Sequence, residues 1–342
     1  MPNRMGRGMS EPGRYDIITV GSATEDVMIQ ANSARVISIE DLDGAQAYMA
    51  FEYGGKIHVD GIFITVGGGA INTALTFAKQ GMRVAAVSKI GRDEAGDRVV
   101  ARLRSEGAHA ELLVRCPVKP TGYSTIITTF TGERCVLVYR GAATDLHESE
   151  LPWDRMARTH WLYVGALAGE SSQLYPLLGE FAAEHGLKLA LNLGTSQIDR
   201  GIAAFAGILS HTHVIFQNKE ETRRLTGVPP DRGPEDELEM CRILHDVGVD
   251  IVVMTEGARG AEASDGQAHH TVPAFPVEVT STIGAGDAFA AGCISALHRG
   301  LSLPESLRMA AANAASVVQQ PGASVGILTW QEALDYVQRH RS

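Results

Sequence analysis

The chain has 342 residues, 44% of them hydrophobic, which is enough to bury a sizeable core in one large domain or two. Its formal charge of −10, with Lys and Arg scattered, argues against non-specific attraction to nucleic acid. The four cysteines, Cys116, Cys135, Cys241 and Cys293, are far apart and form no CxxC pair, so they read as reduced thiols of a cytoplasmic protein, with no zinc site and no disulfide framework.

No apolar run approaches the roughly 18 residues that a membrane span needs, so no membrane partner is expected. Residues 1–13 are polar and Gly-rich, without an apolar h-region, and predict a disordered leader. Residues 14–342 read as one α/β body. Tyr15 to Gly21 predicts a buried strand ending in a Gly turn that delivers Asp26. Val27 to Phe63 predicts a small sheet, with a loop or helix inserted near Asp41 to Ala50 and an alternating end at Lys56 to Asp60. Gly67-Gly68-Gly69 opens a helix over Ala70 to Gln80, stopped by Gly81. Arg83 to Ile90 predicts a strand and Glu94 to Glu106 a helix. Between Ala110 and Tyr139 strand patterns dominate, and Thr131-Gly132-Glu133 marks a hairpin between Ser124–Thr129 and Arg134–Tyr139.

After Leu151 strands and helices alternate. Strands are expected at Trp161–Val164, Leu187–Leu191, Val214–Phe216 and Asp250–Met254. Helices are expected at Gln173–Glu184, Lys219–Leu225 and Glu235–Val247, and later at Pro304–Gln319 and Trp330–Arg339. This order predicts a central, mostly parallel sheet flanked by helices. The two segments 27–65 and 110–140 would form a small β lid over the carboxyl ends of its strands, where ligands sit in such folds.

Chemistry concentrates at Ser281-Thr282-Ile283-Gly284-Ala285-Gly286-Asp287. It reads as a tight turn opening a helix that runs to about Leu297. The first turn of a helix carries amides without intrahelical partners and partial positive charge. Gly284 to Gly286 would then cradle an anion beside the Asp287 carboxylate, which suits phosphoryl transfer to a hydroxyl. The plainer reading is a Gly turn with an ordinary helix-start Asp. Gly67-Gly68-Gly69-Ala70-Ile71-Asn72 puts Asn where a dinucleotide fingerprint needs Gly, and the Walker A pattern is absent. Asp26 is either a ligand for two sugar hydroxyls or a turn residue. Asn218 and Glu221 either cap a helix or approach phosphate oxygens and hydrated Mg²⁺. Thr255-Glu256-Gly257-Ala258-Arg259-Gly260 either passes under a nucleotide or is a plain turn.

Together these residues resemble the ribokinase-like, PfkB family of carbohydrate kinases, from about Tyr15 to the C-terminus. Gly67-Gly68 through Asn72 to Gly81 resembles the first family signature, and Thr282 to Phe289 the second. Asn218/Glu221 resembles the N-x-x-E motif, and Thr255/Gly257 the Thr-x-Gly turn. The resemblance implies an ATP-dependent, Mg²⁺-requiring kinase of a sugar or sugar-like hydroxyl. Asp287 would be the base, with the Gly284, Ala285 and Gly286 amides as anion hole. Asp26, Gly67, Gly68 and Asn72 would hold the sugar. Asn218, Thr255, Gly257, Gly260 and Asn313 would line the nucleotide site, and Glu221 would reach Mg²⁺ through water. It leaves open a nucleoside kinase, with Tyr48, Phe51, Tyr53 and Phe63 as a stacking surface, and a non-catalytic binding protein. A homodimer through the lid is left open as well.

Two departures stand out. Family members commonly carry Asp-Thr-x before Gly-Ala-Gly-Asp, and that Asp is tied to a monovalent-cation site. Ser281 lacks its charge, so potassium activation does not carry over. Tyr139-Arg140-Gly141-Ala142-Ala143 resembles a segment of keto-deoxy-sugar-acid kinases, in which Arg140 would meet a carboxylate. Leu191-Asn192-Leu193-Gly194-Thr195 lacks their second arginine, so an acid sugar is not favoured.

Overall fold

The structure is a computed structural model that describes residues 14–41, 44–129, 134–230 and 233–340. The expected leader, residues 1–13, and the hairpin tip at residues 131–133 lie outside the described residues.

Strand β1 (Tyr15–Val20) lies one strand in from the edge of an eight-stranded sheet. In chain order the elements after it are β2 (Thr24–Gln30), β3 (Arg35–Asp41), β4 (Gly44–Ala50), β5 (Gly61–Gly67), α1 (Gly69–Lys79), β6 (Val84–Val87), β7 (Lys89–Gly91) and α2 (Glu94–Ser105). Then come β8 (Val114–Cys116), β9 (Gly122–Thr128), β10 (Arg134–Tyr139), β11 (Thr159–Val164), α3 (Leu174–Glu184), β12 (Lys188–Leu191), β13 (Thr212–Asn218), α4 (Lys219–Thr226) and α5 (Pro234–Val247). The chain closes with β14 (Ile251–Thr255), β15 (Ala261–Ser264), β16 (His269–Val272), α6 (Ala285–His298), α7 (Leu303–Val317) and α8 (Trp330–Arg339).

The large sheet runs β16-β15-β14-β13-β12-β11-β1-β6. The six strands from β14 to β6 are parallel, and β15 and β16 add an antiparallel edge. Successive side chains of a strand point to opposite faces. Ile18, Val20, Leu162, Val164 and Leu189 therefore pack on one side, against α3 and α5. Ile17, Trp161, Tyr163, Val214 and Phe216 pack on the other, against α1, α6 and α7. Both faces are buried, which is why these strands read as continuous apolar runs.

A second sheet, β10-β9-β2-β5, stands apart from the first. Here β2 pairs antiparallel with β5 and parallel with β9. Several expectations need correction. Asp26 is not in a turn after β1; it sits inside β2 and so belongs to this second sheet. Asp41 to Ala50 is neither loop nor helix, since β3 and β4 form an antiparallel hairpin. Lys56 to Asp60 is irregular, and the strand begins at Gly61. Arg83 to Ile90 is split, with β6 in the large sheet and β7 paired with β8. Residues 110–121 therefore lie outside the second sheet, and β15 and β16 were not anticipated.

Candidate active site

Two pockets open at the carboxyl ends of the parallel strands. The first, about 300 Å³, is walled by Asn192 after β12, Gln217 and Asn218 of β13, Thr255 of β14, and Gly284 and Asp287 of the α6 start. The second, about 160 Å³, lies between the sheets and takes Ser22, Thr24, Asp26, Gly68, Ser124 and Arg140 among its lining. This is where ligands settle in open α/β sheets. A hollow of about 430 Å³ beside α2 is lined by Asp97, Arg104, Glu111 and Arg115 and has no glycine-opened helix start.

Asp287 lines the first pocket and is bonded to α1, whose preceding Gly68 lines the second. Gly284, at φ 78°, precedes α6, and a Cβ there would lie 2.3 Å from the Ala323 carbonyl oxygen. Only glycine permits this entry, which aims the helix start at the first pocket. The Ala285 amide turns back to the Thr282 carbonyl at 3.3 Å. Of the expected anion-hole amides, that of Ala285 is thus engaged, while those of Gly284 and Gly286, joined by Asp287, have no backbone acceptor among the described residues. Asn72 of α1 donates from Nδ2 to Asp287 Oδ2 at 2.9 Å. Asn72 Oδ1 is buried and has no hydrogen-bond partner among the described residues. Burial pushes the Asp287 carboxyl up to about 6; the Asn72 hydrogen bond pulls against this, and the charge of Asp26 adds to it.

Asp26 is 7% exposed. Thr24 Oγ1 donates to its Oδ1 at 2.8 Å. Ser124 faces it across the parallel β2–β9 ladder, where its hydroxyl favours the charged carboxylate. Burial raises the Asp26 carboxyl above the usual range, the Thr24 and Ser124 hydroxyls oppose that, and the Glu25 charge reinforces it. Gly67 lines neither of these two pockets; a Cβ on it would lie 1.8 Å from Asp26 Oδ2. Its role is to leave room for the carboxylate. Arg140 is exposed at the rim and forms no ion pair with a described residue.

On the other side, Asn218 and Glu221 are helix caps and pocket walls at once. Asn218 Oδ1 accepts the Glu221 amide at 2.7 Å, and Glu221 Oε2 accepts the Asn218 amide at 3.0 Å. Burial raises the Glu221 carboxyl above its usual range. Thr255 lines the pocket, whereas Gly257 lies in the exposed turn just beyond it.

Two expected nucleotide residues are corrected. Asn313 is fully buried behind α6, donating to Ala288 O at 2.8 Å and accepting from Leu328 N at 3.0 Å. It pins helices together and reaches no pocket. Gly260 is buried against β16, where a Cβ would lie 2.0 Å from Val272 O, so it is a packing glycine. The sequence reading missed Ser22, Thr24, Ser124, Thr144 and Gln217. Thr24 had a local signal, being two residues from Asp26 on the same strand face. Ser124 had none, because its pairing with β2 is long-range.

A search of curated proteins places this chain at 28% identity over 277 residues to a ribokinase of Haemophilus influenzae, covering 80% of this chain and 88% of that one. It is 29% identical over 240 residues to a deoxyribokinase of Salmonella typhi, covering 68% and 74%. Its fold matches the structure of Arabidopsis thaliana ribokinase complexed with ribose and ATP, with a TM-score of 0.79 at 22% identity over 95% of this chain and 99% of that one. The model of the pfkB family carbohydrate kinases matches residues 37–330. The glycine-opened helix start with its half-buried aspartate, set on this sheet, therefore belongs to a member of the pfkB family of carbohydrate kinases.

Proposed function

We propose that Asp287 accepts the proton of an acceptor hydroxyl while ATP, seated in the first pocket, delivers its γ-phosphoryl group to that oxygen. A new O–P bond forms, the bond from the γ-phosphorus to the β-bridging oxygen breaks, and ADP leaves. One observation carries the reading: Asp287 stands in the wall of the first pocket and is held by Asn72, whose helix starts in the second. The Gly286 and Asp287 amides meet the negative charge of the transferring group, and such preorganised donors are what phosphoryl transfer requires. With its carboxyl near 6, Asp287 is largely ionised at pH 7 and closer to the working pH than an ordinary Asp.

Asp26, held by Thr24 and Ser124, accepts from substrate hydroxyls, and the unpartnered Asn72 Oδ1 offers another acceptor. Gly68 lines this pocket and, lacking a side chain, lets α1 start close against the Ser22 carbonyl, and Arg140 stands ready for a negatively charged substituent. Asn218 and Thr255 line the nucleotide, with Gly257 beyond them. The donor set fits Mg²⁺. Glu221 has one oxygen engaged by the Asn218 amide and the other free, and Mg²⁺ binds through few carboxylates while keeping several waters. Bound with ATP, Mg²⁺ neutralises charge on the phosphate oxygens.

The second pocket favours a sugar over a nucleoside. It is small beside the roughly 300–1,000 Å³ of drug-sized sites, and its lining holds no aromatic residue among those described. Tyr48, Phe51 and Tyr53 are exposed on the β3–β4 hairpin and the loop after it, and Phe63 approaches Gly322 instead. Release of ADP with D-ribose, D-fructose, 2-keto-3-deoxygluconate, inosine and adenosine tests this. Sugar-dependent ADP release is expected; turnover with a nucleoside alone would overturn it. The 28%-identical ribokinase puts ribose first in the panel.

The second sheet then acts as a lid. Ile62, Ile64 and Leu137 of this sheet and Val36, Ile37 and Ile39 of the β3–β4 hairpin beside it in sequence are each at least 50% exposed, and pairing two such surfaces would cover them. No helix of the described residues is long and apolar enough to cross a membrane. ATP as donor and four free thiols fit the cytoplasm.

A further inference from the structure

Glu25 and Arg98 stand outside both pockets. Glu25 is one residue before Asp26 on β2, so it points to the opposite face of the sheet. It is 5% exposed there, between Val66 and Tyr123 on the neighbouring strands. A carboxylate in such a place needs a partner. Arg98 of α2 supplies it by a two-pronged contact, Nε to Oε2 and Nη2 to Oε1, the latter 2.9 Å. The remaining nitrogen reaches Glu94 at 3.4 Å. A fork of this kind fixes direction as well as distance.

Helix α2 is tied to the lid a second time. Asp93 caps it by accepting the Gly96 amide at 2.8 Å, and the same carboxylate accepts Thr121 N at 2.7 Å and Thr121 Oγ1 at 2.6 Å. Thr121 stands immediately before β9. One helix of the body therefore holds the roots of β2 and β9, the two strands that bring Asp26 and Ser124 together.

We propose that the Glu25–Arg98 pair is a positioning device that fixes Asp26 over the second pocket, so that Arg98 governs affinity for the phosphoryl acceptor without touching it. This rests on Asp26 being a substrate ligand. The test uses the full chain with D-ribose, or the panel sugar that gives the fastest ADP release. KM for sugar and for ATP, and the melting temperature, are measured for Arg98→Gln, Arg98→Lys, Glu25→Gln and Asp26→Ala. Arg98→Gln and Glu25→Gln are expected to raise the sugar KM about tenfold while the ATP KM stays within about twofold, because a misplacement of about an ångström is enough for such losses. Arg98→Lys, which keeps the charge without the fork, is expected to recover part of the affinity. A lowered melting temperature with both KM values unchanged would make the pair merely structural and overturn the proposal. If Asp26→Ala raises the sugar KM and Arg98→Gln does not, the positioning role fails while the pocket assignment stands. If Asp26→Ala also changes nothing, both fail.

Discussion

Asp287→Asn separates catalysis from stability. The asparagine keeps the shape, and its side-chain oxygen can still accept from Asn72. It has no proton-accepting carboxylate, so turnover is expected to fall by about 10²–10⁴-fold, the usual contribution of a general base. ATP binding persists. The same change is expected to stabilise the fold at neutral pH. The Asp287 carboxyl lies near 6 in the folded protein, against an ordinary 3.8. Below about pH 4 it is protonated in both folded and unfolded chains. Between about 4 and 6 the unfolded chain loses this proton first, so the wild type loses stability as pH rises through that window. Above 6 both are ionised and the loss is complete. Two units correspond to about 3 kcal/mol at most, and the pocket-facing side of Asp287 remains open to solvent, so about 1–3 kcal/mol is expected. Asn does not titrate. The stability of Asp287→Asn relative to wild type should therefore grow by about two-thirds of that amount between pH 4.5 and 7.5. Urea unfolding across this range measures it. A pH-independent difference would refute the buried, raised carboxyl, and near-normal turnover in the pure variant would refute the base.

Three further outcomes follow from the same geometry. Asn72 donates to the charged form of Asp287, so Asn72→Ala should move the acid limb of kcat/KM upward from near pH 6 by about one unit; an unmoved limb would mean the bond is absent in solution. Ser281 Oγ accepts the Ile283 amide at 3.3 Å and offers a cation only a neutral oxygen, so initial rates should differ little between potassium, sodium and tetramethylammonium chloride at matched ionic strength. A large potassium-specific stimulation of the wild type would refute this, and potassium dependence appearing only in Ser281→Asp would support it. Ile37→Asp on the exposed hairpin should convert a dimer to a monomer in light scattering, whereas a wild type that is already monomeric would remove the lid–lid contact.

The parts of this site that were legible in the sequence are local ones. Gly284 through Asp287 and Gly67 through Asn72 each encode a helix start within a few residues, and the buried parallel strands announce themselves as apolar runs. What was illegible depends on distant pairing. Nothing near Ser124 says that β9 will lie beside β2. The Ala, Gln and Met of residues 45–50 favour helix, yet their partner Arg35–Asp41 draws them into a hairpin. Lys56 to Asp60 alternates like a strand but finds no ladder. Asn313 was assigned by the family resemblance, and nothing local shows that its side chain is taken up by hydrogen bonds to Ala288 and Leu328. The two caps at Asn218 and Glu221 were read as alternatives to pocket residues, and they are both.

Gly67 has a consequence for anyone altering acceptor preference. The Asp26 carboxylate occupies the volume that any side chain at 67 would fill, so the two positions share one space. A library that varies 26 alone explores only residues no deeper than aspartate over an intact glycine, while one that varies 67 alone mostly displaces the carboxylate. Alanine at 67 would tolerate at best a shorter residue at 26, so productive variants are expected as coupled pairs rather than as single steps.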